Sequence, residues 1–92
     1  MEKIAVRIFL SGKVQGVFFR DNAKRKADFL GVVGWIRNLE DGRVEALVEG
    51  SEDKVEEMIR WAKRGPEEAE VDQININKEN CRNELEDFKI IS

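Results

Sequence analysis

Apolar and polar residues alternate from the start of the chain. Ile4, Val6, Ile8 and Leu10 interleave with Ala5, Arg7, Phe9 and Ser11. A period of two predicts a strand with one buried face. Residues 12–20 then form a loop containing two glycines, Gly12 and Gly16. Beyond it the period changes. Ala23, Ala27 and Leu30 recur at i, i+4 and i+7, with Lys24, Arg25, Lys26 and Asp28 turned outward. That spacing predicts an amphipathic helix. Asp21 or Asn22 is its expected N-cap, and Gly31 is placed to end it in a left-handed conformation.

Val32, Val33, Trp35 and Ile36 predict a second strand over residues 32–38, with Asn38 near its end. Asp41-Gly42 is a hairpin turn signal. Val44, Ala46 and Val48 then alternate with Arg43, Glu45, Leu47 and Glu49, so strands two and three should pair antiparallel. Glu45 and Glu49 fall on the polar side and are expected in solvent. Gly50 is read as breaking the strand and Ser51 as capping a second helix. Its apolar stripe is Val55, Met58, Ile59 and Ala62. Glu52 and Asp53 open this helix and Lys63 and Arg64 close it, both favourable to the helix dipole. Gly65-Pro66 ends it. After the acidic residues 67–70, Ile74 and Ile76 mark a fourth strand over residues 71–78. The spacing from Val71 to Ile74 breaks alternation, which predicts a late start or a bulge. A polar loop follows, and Phe88 and Ile90 mark a short closing strand.

The order strand, helix, strand, strand, helix, strand solves the burial problem if both helices cover one face of an antiparallel sheet. The predicted class is α+β. The arrangement is the ferredoxin-like, split βαβ sandwich, with an added C-terminal strand. Residues 1–92 are expected to form one domain, since a chain of 92 residues builds a single core.

Composition narrows the partners. Sixteen Lys and Arg against nineteen Asp and Glu give a net charge of −3. A mildly acidic chain argues against nucleic acid, which selects a basic face. There is no histidine, so the usual neutral-pH acid–base group and the commonest transition-metal ligand are missing. The one cysteine, Cys81, makes no intramolecular disulfide and no zinc cluster. It reads as a loop thiol rather than a nucleophile, and a reducing, cytoplasmic setting is expected. Met1-Glu2-Lys3-Ile4 runs straight into a strand pattern, so no leader segment or membrane span is expected. The domain is expected to be monomeric.

The candidate chemistry lies in Gly12-Lys13-Val14-Gln15-Gly16-Val17-Phe18-Phe19-Arg20. Backbone amides of such a loop can converge, and the helix start adds unpaired N–H groups. Arg20 brings a permanent charge and a planar fork, which suits phosphate. No Gly-Lys-Ser/Thr follows the glycines, so this is not a nucleotide-triphosphate loop. The competing reading is a surface loop whose arginine pairs with a nearby acid. Asn38, alone, reads as turn chemistry. No carboxylates form a catalytic pair, Trp35 and Trp61 read as packing residues, and Glu40 and Asp41 show no metal-ligand spacing.

Taken together, Gly12 to Arg20 resembles the first signature of the acylphosphatase family. Gly34-Trp35-Ile36-Arg37-Asn38, then Gly42-Arg43-Val44 and Gly50, resembles the second. Both stand in the family's order and spacing. Ile36 replaces what is more often Val or Cys, and the ending Ile90-Ile91-Ser92 lacks the family's basic and aromatic close. The resemblance implies hydrolysis of the carboxyl–phosphate bond of an acyl phosphate, without metal or organic cofactor. Arg20 would bind the phosphoryl group with the amides of Val14, Gln15, Gly16, Val17, Phe18 and Phe19. Asn38 would orient the attacking water. Inorganic phosphate would be both product and competitive inhibitor. Two alternatives stand beside this: a non-catalytic anion-binding regulatory module, and an RNA-recognition module on the same fold. The latter needs exposed aromatics, and the polar sheet face offers Phe9 amid Arg7, Glu45 and Glu49.

Overall fold

A computed structural model describes residues 2–91. The first alternating segment forms β1 (Lys3–Lys13), whose Val6, Ile8 and Leu10 are buried. It lies inside the sheet, antiparallel to β3 (Val44–Ser51) on one side and to β4 (Glu70–Glu79) on the other. β2 (Val33–Asn38) pairs antiparallel with β3, and β5 (Phe88–Ile90) completes the order β4-β1-β3-β2-β5. β5 runs parallel to β2, so the sheet is mixed rather than wholly antiparallel. The reason is geometric. β4 and β2 run in opposite directions. A chain that leaves β4 at one end of the sheet and crosses to the far edge must return along β2.

The helices α1 (Phe19–Leu30) and α2 (Glu52–Arg64) cover one face. Phe19, Ala23, Ala27 and Leu30 from α1 and Val55, Met58 and Ala62 from α2 close on Val6, Ile8, Leu10, Ile36, Val44, Ala46 and Val48. Each fully buried aliphatic side chain contributes about 1.5–3 kcal/mol relative to exposure, so this stripe-on-sheet burial dominates stability.

α1 starts earlier than the expected caps Asp21 and Asn22, which lie inside its first turn. Phe18 stands at the N-cap position in a left-handed conformation (φ 62°, ψ 25°), without a side-chain cap. Burial sets the start instead. Phe19 is in the core, its ring tilted against Trp61 at 5.2 Å. Asn22 bonds back to the Phe18 carbonyl through both its N–H (3.1 Å) and Nδ2 (2.9 Å). Gly31 ends the helix left-handed, as expected.

The β2–β3 hairpin forms, but Asp41-Gly42 is not a two-residue turn. The connection spans residues 39–43. The Leu39 carbonyl accepts from the Gly42 N–H (3.2 Å), and the Leu39 N–H donates to the Arg43 carbonyl (2.8 Å). Asp41 instead holds Arg43, through its N–H at 3.0 Å and Nε at 2.8 Å. Gly50 does not break β3: it stays paired with Ile4. Ser51 precedes α2, but its Oγ donates to Asp53 Oδ1 (2.8 Å) rather than capping the backbone. In β4 the broken alternation is a bulge. Ser11 pairs with Gln73 but Gly12 with Val71, leaving Asp72 unmatched.

Gly34 is the glycine the sheet needs most. Its φ is 146°, and a Cβ there would sit 1.8 Å from the Leu47 carbonyl oxygen.

Glu45 and Glu49 are not in solvent. They are 4% and 1% exposed. Long side chains from neighbouring strands close over Glu45, which accepts from Arg7 Nη1 and Arg37 Nε, each at 2.7 Å. The chain following β4 covers Glu49, which accepts the N–H groups of Arg82 (2.9 Å) and Asn83 (3.2 Å). Lys3 Nζ lies 3.3 Å from Glu49. Burial opposes the charge on both carboxyls, yet these donors outweigh it and hold both below the ordinary glutamate range. Arg7 also binds Glu79, and those two carboxylates hold its guanidinium charged. Trp35 lies under Arg7 and Arg37, and Phe9 under Arg43. Among the described residues, no helix is long and apolar enough to cross a membrane.

Candidate active site

The loop between β1 and α1 begins with a tight reversal, the Val14 N–H donating to the Gly12 carbonyl at 3.1 Å. Val14 and Val17 then plunge into the core, 1% and 5% exposed. These two anchors leave the backbone between and after them at the surface. Gly16 takes φ 74°, where a Cβ would meet nothing within 4 Å, so its requirement is conformational rather than spatial. Phe18 follows in the left-handed region and is 63% exposed. A bulky residue in that region is unusual. It is held there by Phe19, whose burial fixes the helix start.

Among the described residues, none of the backbone N–H groups from Gln15 to Arg20 donates to a protein acceptor. The sequence places Val14 in this set, but its amide is engaged with Gly12. A run of free amides that enters a helix N-terminus favours an anion. Arg20 sits in the first turn of α1 rather than at the loop's end. With Val14, Gly16, Phe18, Phe19 and Asp21 it lines a cleft of about 230 Å³. None of the ion pairs among the described residues involves Arg20. The competing reading, an arginine tied to a neighbouring acid, therefore lacks its partner.

Asn38 does not line this cleft. It ends β2 opposite Val44, at the start of the hairpin turn. Its Oδ1 is buried without a hydrogen-bond partner among the described residues. An unpaired buried carbonyl oxygen costs about 1–3 kcal/mol, so the site carries an acceptor the fold itself does not use. Two hydrogen bonds join the loop to this turn. Gln15 Nε2 donates to the Leu39 carbonyl at 2.8 Å and to the Arg43 carbonyl at 2.9 Å. Gln15 is counted from sequence only for its backbone amide. Its side-chain partners lie 24 and 28 residues away, so no local pattern announces them. Asp21 in the cleft wall is likewise read from sequence only as a cap.

Arg20, Gly16, Phe18 and Phe19 thus share one cleft, Val14 and Val17 are its buried anchors, and Gln15 links it to the strand end that carries Asn38. Cys81 lies elsewhere, its Sγ 3.3 Å from the Lys3 carbonyl oxygen.

Comparisons with known proteins agree on a family. Residues 6–90 match the acylphosphatase family model. The acylphosphatase of Pyrobaculum islandicum is 46% identical over 92 residues, covering 99% of this chain and 97% of that one. The structure of the acylphosphatase from Bacillus subtilis superposes with a TM-score of 0.93 at 32% identity, covering 97% of this chain and 99% of that chain. The acylphosphatase from Coxiella burnetii gives 0.92 at 34% identity, covering 97% and 93%.

Proposed function

This chain belongs to the acylphosphatase family, and we propose that it hydrolyses acyl phosphates with Arg20 as the phosphoryl anchor and Asn38 as the holder of the attacking water. The observation that carries this reading is the pairing of two unused groups. One is an arginine without a carboxylate partner among the described residues, in a cleft of free amides. The other is a buried amide oxygen without a donor among the described residues.

Water oxygen attacks phosphorus and the bond from phosphorus to the acyl oxygen breaks. The products are a carboxylate and inorganic phosphate. Charge spreads over the equatorial phosphoryl oxygens in a loose transition state. Amides from Gln15 onward, together with Arg20, stabilise it without reorganising. Oδ1 of Asn38 accepts one O–H of the water and aims its lone pair at phosphorus. A carboxamide is too weak a base to take the proton, so a phosphoryl oxygen of the substrate receives it. The leaving carboxylate has a conjugate acid with a pKa of about 4–5, by analogy with Asp and Glu, and needs no general acid. That accommodates a chain without histidine. A phosphate monoester has a far poorer leaving group and should be a weak substrate.

The test is hydrolysis of benzoyl phosphate by wild type and Arg20→Gln in excess chelator. Wild type is expected to turn over, and Arg20→Gln to lose well over tenfold, more than about 1.4 kcal/mol of barrier. Survival within that margin means Arg20 is not the anchor. Collapse of the wild type in chelator means the reaction needs a metal.

A further inference from the structure

We propose that Gln15 is a positioning residue, whose side-chain amide locks the phosphate loop to the β2–β3 turn and so sets Asn38 against the phosphoryl group. This rests on the reading of Arg20 and Asn38 given above.

The two halves of the site come from distant parts of the chain. Gly16 to Arg20 hold the anion after β1, and Asn38 ends β2, which β3 separates from β1. Catalysis depends on their separation, because misplacing a reacting group by about 1 Å can cost a hundredfold. Among the described residues, the only hydrogen bonds between residues 14–20 and the hairpin are the two from Gln15 Nε2, at 2.8 and 2.9 Å. Both acceptors are carbonyl oxygens, so only the NH2 end of the side chain can face them, and both its hydrogens are used. The acceptors are the two carbonyls that frame the turn. Leu39 is the residue after Asn38. The Arg43 carbonyl also receives the Leu39 N–H at 2.8 Å, which closes the hairpin. Gln15 therefore grips the turn at both sides of its neck, one peptide from Asn38.

Among the described residues, the other hydrogen bonds of the loop are local, from Val14 to Gly12 and from Asn22 to Phe18, and its remaining ties to the body are apolar. Val14 and Val17 fix how deep the loop sits. Apolar contacts are non-directional and leave lateral position less defined than two short hydrogen bonds do. Gln15 supplies the lateral constraint. Its removal should leave the cradle intact and loosen the placement of the water.

Gln15→Met keeps the length of the side chain and removes both donors. With benzoyl phosphate its kcat is expected to fall about tenfold, while the inhibition constant of inorganic phosphate moves by less than about twofold. In an Asn38→Ala background the same change should alter kcat by less than about twofold, because the group it positions is gone. Gln15→Glu gives an independent readout. Its carboxylate repels both carbonyls, and its activity relative to wild type should recover as pH falls through about 4–5 and the acid gains a donor. Losses that simply multiply in the double variant, an unchanged kcat in Gln15→Met, or parallel weakening of phosphate overturn the proposal. If wild type itself fails to hydrolyse benzoyl phosphate, the underlying reading fails, which is a separate result.

Discussion

Glu45 lies directly opposite Arg37 on β2 and diagonally from Arg7 on β1, and it binds both guanidiniums at 2.7 Å on the sheet face away from the helices. A carboxylate that sequence patterning assigns to solvent is thus the centre of an ion network. The network spans four strands, because Arg7 of β1 also binds Glu79 of β4 while Arg37 belongs to β2 and Glu45 to β3.

This network, together with the separately bound Glu49, makes stability fall on the acid side. Glu45, Glu49 and Glu79 all titrate below the ordinary glutamate value of 4.5 in the fold. Their charged forms are favoured folded, so the contribution is complete above that value. It is lost as pH falls through the folded values, because the unfolded chain then binds more protons. Urea midpoints are expected to be flat from neutral pH to about 5 and to drop below it. Glu45→Gln should show a lower midpoint at neutral pH and a shallower acid decline. Parallel declines in the two proteins would mean that Glu45 does not carry the effect.

Two glycines separate steric from conformational demand. Gly34→Ala puts a methyl 1.8 Å from a β3 carbonyl, which forces the β2–β3 pair apart. A loss above about 4 kcal/mol, or failure to fold, is expected. Gly16→Ala meets no atom within 4 Å and costs only its left-handed backbone, about 1–2 kcal/mol. Urea unfolding of the two variants checks the order. Equal losses would refute the distinction.

Much of the fold is legible in the sequence because its signals are local. The stripe Ala23, Ala27, Leu30 marks α1, and the broken spacing from Val71 to Ile74 marks the β4 bulge. What the sequence misplaces is decided by tertiary contact. The start of α1 follows the burial of Phe19 against Trp61, not the polar caps Asp21 and Asn22. Glu45 and Glu49 are buried because arginines and a returning chain cover them, which alternation does not encode. At the site, Arg20 and the glycines of its loop stand out as residue types suited to an anion. The reach of Gln15 to Leu39 and Arg43, and the unpaired Oδ1 of Asn38, exist only once distant segments meet.

The most direct test is to measure turnover and phosphate affinity side by side in Asn38→Ala. If Asn38 positions water and does not hold the anion, kcat for benzoyl phosphate should fall about a hundredfold or more, while the inhibition constant for inorganic phosphate stays within about twofold. An unchanged kcat, or a loss of phosphate affinity in step with turnover, would contradict the division of labour between Arg20 and Asn38.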